Sequence, residues 1–146
     1  MCKLINFPPP SLVSWEKWAD WLEEAEDDFN AAADLARLGR YAKACFLSQQ
    51  AAEKALKALL IAKAGRYERT HSVYALLLAA EKYGIPIPPE LKEAGEELDR
   101  HYVLSRYPNA WPWGPPHVHY RQKDAESCLK NAKSVLEYVK RILGEK

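Results

Sequence analysis

The segment Tyr41–Ala64 reads YAKACFLSQQAAEKALKALLIAKA and contains neither glycine nor proline. Nearly all of its residues are good helix formers. Its apolar residues recur at steps of three, four and seven, which places them in two stripes along one α-helix. The bulky stripe is Cys45, Ala52, Leu56 and Leu59, and the small stripe is Leu47, Ala51, Ala55, Ala58 and Ala62. A helix that is apolar over so much of its surface has neighbours on at least two sides, so the segment predicts the central helix of a bundle.

Four more helices are predicted around this segment. Their apolar stripes repeat every three or four residues and run over Trp15–Leu35, Val73–Ala80, Leu91–Tyr102 and Ala125–Ile142. The link between the first helix and the central helix is very short, so these two should pack antiparallel. We therefore expect an all-α, antiparallel up-and-down bundle of four to five helices. Residues 1–13 hold three consecutive prolines and predict an extended arm, and residues 14–146 predict a single helical domain.

Composition gives only broad limits on function. The formal net charge is +1, which argues neither for nor against a nucleic-acid partner. Three cysteines are an odd number, and Cys45 and Cys128 lie in helical apolar stripes, so we expect buried free thiols rather than disulfides or metal ligands. The chain shows no signal peptide and no apolar run of membrane-spanning length, which predicts a cytoplasmic protein that does not enter a membrane.

The polar residues that stand out come after the central helix and around residues 99–107. They are Arg66, Arg69, His71, Asp99, Arg100, His101, Tyr102, Arg106 and Tyr107. Arginine binds phosphate oxygens through its planar fork, and histidine moves protons near neutral pH, so the set suits phosphate chemistry. Tyr107, Trp111 and Trp113 offer ring faces for bases, although an aromatic loop at 105–119 can equally cover one end of a bundle or meet a second subunit. No cofactor or metal is expected, because His117 and His119 have no cysteine or carboxylate beside them at ligand spacing.

Four segments together resemble the HEPN domain family. They are ACFLSQQAAEKALKALLIAKAG at 44–65, THSVYALL at 70–77, LDRHYVLSRYPNA at 98–110 and DAESCLKNAKSVLEYV at 124–139. The resemblance covers the chain from Trp15 to Leu143. It implies an up-and-down bundle of four or five helices that usually forms a homodimer and associates with nucleotides or RNA.

The resemblance also implies two kinds of activity. Many members are metal-independent endoribonucleases with an arginine and a later histidine that are separated by four to six residues. Arg106 matches that arginine by its place in the chain, but His117 lies too far on; the pair Arg66 and His71 has the right spacing but falls before the third helix. Other members are partners of a minimal nucleotidyltransferase, either as its substrate-binding subunit or as the toxin that it neutralises.

We therefore predict a nucleotide- or RNA-binding protein that acts beside a separately encoded minimal nucleotidyltransferase. Arg106 and Tyr107 should bind phosphate and base, and His71, Asp99 and Tyr102 should line the same cleft. The expected homodimer would form through the alanine stripe of the central helix or through the loop 105–119.

Two other functions remain open on the sequence. A toxin-type endoribonuclease would use His71, Arg106 or Arg66 as catalytic residues and would need no metal. A non-catalytic adaptor would instead dock a protein partner on the acidic face of the first helix, which carries Asp20, Glu23, Glu24, Asp27, Asp28 and Asp34.

Overall fold

A computed structural model describes residues 17–144, and the regular structure in this range is entirely helical. It contains the helices α1 (Trp18–Arg37), α2 (Tyr41–Ala64), α3 (Val73–Lys82), α4 (Pro89–Asp99), α5 (His101–Leu104) and α6 (Gln122–Leu143). The predicted all-α bundle is confirmed. The extended arm at 1–13, the domain boundary beside it and the start of the first apolar stripe at Trp15 lie outside the described residues.

Helix α2 is the centre of the core. Fifteen of its residues are buried, and α1, α3, α4, α5 and α6 all pack against it. The middle of the small stripe does not reach the surface, because Ala51, Ala55 and Ala58 are fully covered by helices of the same chain, and only its ends, Leu47 and Ala62, are partly exposed. The alanine stripe therefore cannot supply a two-fold interface, and that part of the dimer prediction is wrong.

Side-chain contacts show the relative direction of the helices α1 and α2. Lys54 of α2 pairs with Asp28 of α1 at 2.7 Å, and Lys57, one turn further along α2, lies over the ring of Trp21, two turns earlier in α1. Because the numbering rises in one helix as it falls in the other, α1 and α2 are antiparallel, as their short link predicts. Helix α6 begins beside the start of α2, where the Cys45 thiol lies 3.4 Å from the backbone oxygen of Asp124.

The predicted fourth helix is two helices in the structure. Helix α4 ends at Asp99, and the single turn α5 begins at His101. The Asp99 carboxylate accepts hydrogen bonds from the backbone N–H groups of Val73 (2.7 Å) and Tyr74 (3.0 Å) at the start of α3. These bonds hold the end of α4 against α3, and α5 carries Tyr102 towards the region that we describe next.

The other expectations for single segments can be compared directly. Cys45 and Cys128 are buried, as predicted, and neither forms a disulfide. The segment 105–119 contains only two 3₁₀ turns, and Trp111 fastens it to the bundle by donating a hydrogen bond to the Leu104 carbonyl at 2.7 Å. Within residues 17–144 there is no helix with the length and apolarity needed to cross a membrane.

Candidate functional site

The arginine predicted to bind phosphate lies among aromatic rings at the end of α5. The guanidinium carbon of Arg106 is 4.4 Å from the ring centre of Phe46, 4.5 Å from that of Tyr102 and 4.8 Å from that of Tyr107. Its Nε donates to the Tyr102 carbonyl at 2.8 Å. Among residues 17–144, no carboxylate lies within ion-pair distance of this guanidinium. We call Phe46, His71, Tyr102, Arg106 and Tyr107 the Arg106 cluster.

His71 joins this cluster through Tyr102. The two rings stack with their centres 5.1 Å apart and an angle of 16° between their planes. The His71 Nδ1 lies 3.3 Å from Oε2 of Glu53. Because a carboxylate only accepts hydrogen bonds, this contact requires a proton on Nδ1, and in the tautomer with its single proton there Nε2 is an acceptor. The side chain is 59% exposed, so it is open to a ligand.

A buried polar network holds His71 in place from below. Glu53 and Lys57 are both 3% exposed, and the Lys57 ammonium lies 3.0 Å from Oε2 of the Glu53 carboxylate. The Gln49 side-chain amide donates to the His71 carbonyl at 2.7 Å. Glu53 and Lys57 are one turn apart on α2, and their ion pair lies in the interior of the bundle. The network therefore fixes both the backbone and the ring of His71.

A pocket of about 320 Å³ opens beside the cluster. It is lined by Thr70, His71, Ser72, Asp99 and Tyr102. Asp99 lies in its wall, but both carboxylate oxygens are already used, since they also accept the Ser72 hydroxyl at 2.7 Å. Asp99 therefore shapes the pocket by fixing the start of α3. The polar groups available to a ligand belong to the other lining residues, such as Thr70, His71 and Tyr102.

The structure does not bring Arg66 to this site. Its guanidinium carbon lies 5.9 Å from the ring centre of Tyr83, which follows the last residue of α3. His71 precedes the first residue of α3, and a ten-residue helix is about 15 Å long. The spacing of Arg66 and His71 in the sequence therefore does not form an arginine–histidine pair, and Arg66 is unsuited to the catalytic role considered for it.

The two histidines of the aromatic loop, His117 and His119, lie in different environments. His119 stacks on Trp111 with the ring centres 4.0 Å apart, and its Nε2 lies 2.7 Å from the Trp113 carbonyl oxygen. His117 lies instead on a pocket beside the turn between α1 and α2.

Sequence reasoning missed the floor of the site, although the signal was present. Phe46, Gln49, Glu53 and Lys57 follow one another at steps of three, four and four, so they share one face of α2. A charged pair on the helix predicted to be central would have indicated a polar site within the core, because such groups are seldom buried without a partner.

Comparison with known proteins agrees with this architecture. The family model of the HEPN domain matches residues 18–142. The chain belongs to the HEPN domain family. The resemblance seen in the four sequence segments is thereby confirmed, and the match spans all six helices almost to their ends.

Relatives of this HEPN protein include one curated sequence and several solved structures. "Putative toxin MJ1304" of Methanocaldococcus jannaschii is 35% identical over 136 residues, covering 86% of this chain and 88% of that protein. The crystal structure of TT1696 from Thermus thermophilus is similar with a TM-score of 0.81 and 40% identity, over 86% of this chain and 97% of that one. The structure of ST0689, an archaeal HEPN homologue, gives a TM-score of 0.69 and 37% identity, over 84% of this chain and 94% of that one.

Proposed function

We propose that this HEPN protein binds a nucleotide or a single-stranded RNA segment at the Arg106 cluster and acts beside a separately encoded minimal nucleotidyltransferase. The observation that carries the proposal is the Arg106 guanidinium, which is held by three rings and has no carboxylate partner in residues 17–144. Arginine in such a setting is suited to a phosphate, because its fork meets two oxygens at once.

The rest of the cluster fits the other parts of a nucleotide. Nε of Arg106 is used by the Tyr102 carbonyl, which leaves the two terminal nitrogens for phosphate oxygens. Tyr107 is 50% exposed and offers a ring face on which a base can stack. The pocket beside His71 lies next to both groups and has a polar wall of hydroxyl and imidazole groups for a ribose.

Binding to the wild type and to matched arginine variants tests this proposal. Titration of a fluorescently labelled oligouridylate and of ATP should give saturable binding to the wild type. Arg106→Ala should weaken it roughly 10- to 100-fold, the loss of a charged hydrogen bond of about 1.5–3 kcal/mol. Arg66→Ala is the matched control and should bind as the wild type does. Equal affinity of the Arg106→Ala protein and the wild type would rule out the assignment.

The nucleotidyltransferase partner is supported by the family resemblance and by the relative whose name calls it a toxin. A toxin of this kind works with a neutralising protein, and in this family that protein can be a minimal nucleotidyltransferase. Co-expression with a small nucleotidyltransferase encoded next to this gene should give a complex that stays together in gel filtration. Separate elution of the two proteins at micromolar concentration would count against this part of the proposal.

A metal-independent endoribonuclease is the second candidate, and the contact between Glu53 and His71 favours it. The Nε2 of His71 would take the proton from an RNA 2′-hydroxyl, whose oxygen attacks the adjacent phosphorus to form a 2′,3′-cyclic phosphate, while the 5′-oxygen leaves and takes a proton from water. Arg106 would stabilise the added negative charge on the phosphate. Cleavage of RNA in EDTA should then be lost in His71→Ala and kept in His117→Ala. RNA that stays intact with the wild type, while binding is retained, would leave only the binding function.

The homodimer expected from the sequence is best supported at the loop 105–119. Two apolar side chains of this loop outside the Arg106 cluster, Trp113 and Val118, are more than 40% exposed, and so is Val103 beside it. A two-fold contact there would bring two copies of the Arg106 cluster near each other. Sedimentation equilibrium should show a dimer that Trp113→Ser weakens, and a monomeric wild type at high concentration would refute the proposal. The cytoplasmic location stays a prediction.

A further inference from the structure

Two buried cysteines and a histidine meet at a point where three helices join, away from the Arg106 cluster. Cys45 comes from α2, His101 from α5 and Cys128 from α6. One ligand-type atom from each residue lies within 4.8 Å of the other two. Cys45 is 0% exposed and Cys128 is 2% exposed, so both sulfur atoms are shielded from water.

The groups around this cluster already orient its members. Nδ1 of His101 lies 2.8 Å from the hydroxyl of Tyr120, a residue that is only 7% exposed. The Cys45 thiol donates to the Asp124 carbonyl at 3.4 Å.

We propose that Cys45, His101 and Cys128 bind a single zinc ion. Two thiolates and an imidazole are the ligands that zinc prefers in proteins. Tetrahedral zinc has bonds of about 2.3 Å to sulfur and about 2.0 Å to nitrogen, which place neighbouring ligand atoms about 3.5–3.8 Å apart. The three atoms in this protein lie within 4.8 Å of one another, so the side chains need to approach each other by at most roughly 1 Å to bind the ion. The three ligands leave a fourth position for an oxygen ligand.

Charge balance allows a zinc ion at this buried position. Zn²⁺ displaces one proton from each cysteine, and the two resulting thiolates cancel its charge, so no net charge is buried. The ion is therefore bound in exchange for two protons, with no change in oxidation state.

The site would also affect the Arg106 cluster. His101 begins the four-residue helix α5, and the next residue, Tyr102, stacks on His71 and contacts the guanidinium of Arg106. A metal bond to His101 would tie this single helical turn to α2 and α6. We expect zinc to stabilise the fold and to keep the nucleotide-binding rings in position, without contacting the nucleotide.

Cobalt substitution tests the site independently of nucleotide binding. The full chain, unfolded and refolded under reducing conditions with one equivalent of Co²⁺, should show the visible absorption of tetrahedral cobalt and near-ultraviolet thiolate charge-transfer bands. One equivalent of Zn²⁺ should remove both signals. Cys128→Ser should weaken the charge-transfer band, and His101→Gln should lower the affinity for cobalt at least 10-fold. His117→Gln is the matched control and should behave as the wild type does.

Measurements on the wild-type protein alone can overturn the proposal. A refolded wild type that takes up less than one equivalent, or that shows cobalt absorption without thiolate bands, excludes this ligand set. The chain has three cysteines, so three reactive thiols are expected in denaturant after the metal is chelated. A single thiol in the protein as isolated without reductant would show a disulfide between two cysteines instead of a metal site.

Discussion

At the scale of single residues, Asp99 links two helices through one carboxylate. It accepts hydrogen bonds from the Val73 and Tyr74 N–H groups and from the Ser72 hydroxyl. Asp99→Ala leaves the N-terminus of α3 without these acceptors, and we expect it to lower the free energy of unfolding by about 1–3 kcal/mol. Urea denaturation measures this loss. Glu97→Ala, which removes a surface pair with Arg100, should change stability by no more than about 0.5 kcal/mol. Equal effects of the two variants would contradict the capping role.

The buried pair of Glu53 and Lys57 gives a second prediction. Glu53→Ala leaves the Lys57 ammonium, which is 3% exposed, without its anion, and should destabilise the fold by about 3–5 kcal/mol. The double variant with methionine at both positions removes the two charges together and should recover most of that loss. Thermal and urea unfolding of the wild type and both variants measures this. A double variant as unstable as Glu53→Ala would show that the loss comes from packing rather than from the unpaired charge.

Only part of the site could be read from the sequence at this scale. His71, Tyr102 and Arg106 were expected to share a cleft, and the rings and guanidinium do meet. The sequence could not tell whether His71 also pairs with Arg66. The surroundings of the Arg66 side chain depend on the position of Tyr83 at the end of α3. Arg66 and Arg106 are both candidate partners of His71 in the sequence, and only the tertiary fold distinguishes them.

At the scale of helices, α3 and α4 approach each other closely at Gly95. A Cβ atom at this position would lie 2.9 Å from Cδ1 of Leu77 and 3.2 Å from Cγ1 of Val73. Leu77 and Val73 are fully buried, and the branched Val73 side chain has little rotational freedom. The glycine therefore allows a close contact between the two helices.

Gly95→Ala tests this contact against helix propensity. Alanine favours an isolated helix by about 1 kcal/mol over glycine, whereas overpacking costs about 1–3 kcal/mol. We expect the variant to be less stable than the wild type by about 1 kcal/mol in urea denaturation. Glu96→Ala, at the next and exposed position of α4, should leave stability within about 0.5 kcal/mol. A Gly95→Ala protein more stable than the wild type would mean that α3 moves aside easily.

Helices with regular stripes were predictable, whereas their ends and partners were not. The period of three and four residues predicted α2 and α6 closely, because burial of one face is a local pattern. The break between α4 and α5 lies at Asp99, whose carboxylate accepts hydrogen bonds from N–H groups of α3, more than 20 residues away in the sequence. The alanine stripe likewise indicated a close helix neighbour, but periodicity does not tell whether that neighbour belongs to the same chain.

At the scale of the whole molecule, charge is balanced while the proposed site is locally cationic. The net charge of +1 gives no long-range field that would draw RNA to the surface. Lys54 and Lys57, on the central helix, are paired with carboxylates of the same chain. Electrostatic attraction for RNA should therefore come from the Arg106 cluster and involve few phosphates.

The salt dependence of RNA binding tests this directly. For single strands, the logarithm of the binding constant falls with the logarithm of the salt concentration at about 0.7 per phosphate neutralised. With one or two phosphates contacted, we expect a slope of about −0.7 to −1.4 for oligouridylate, measured by fluorescence anisotropy across a range of potassium chloride concentrations. Arg106→Ala should reduce the slope by about 0.7, whereas Arg66→Ala should leave it unchanged. A wild-type slope several times steeper would mean that RNA follows a longer basic path over the surface, and the site would then have to be placed elsewhere than at Arg106.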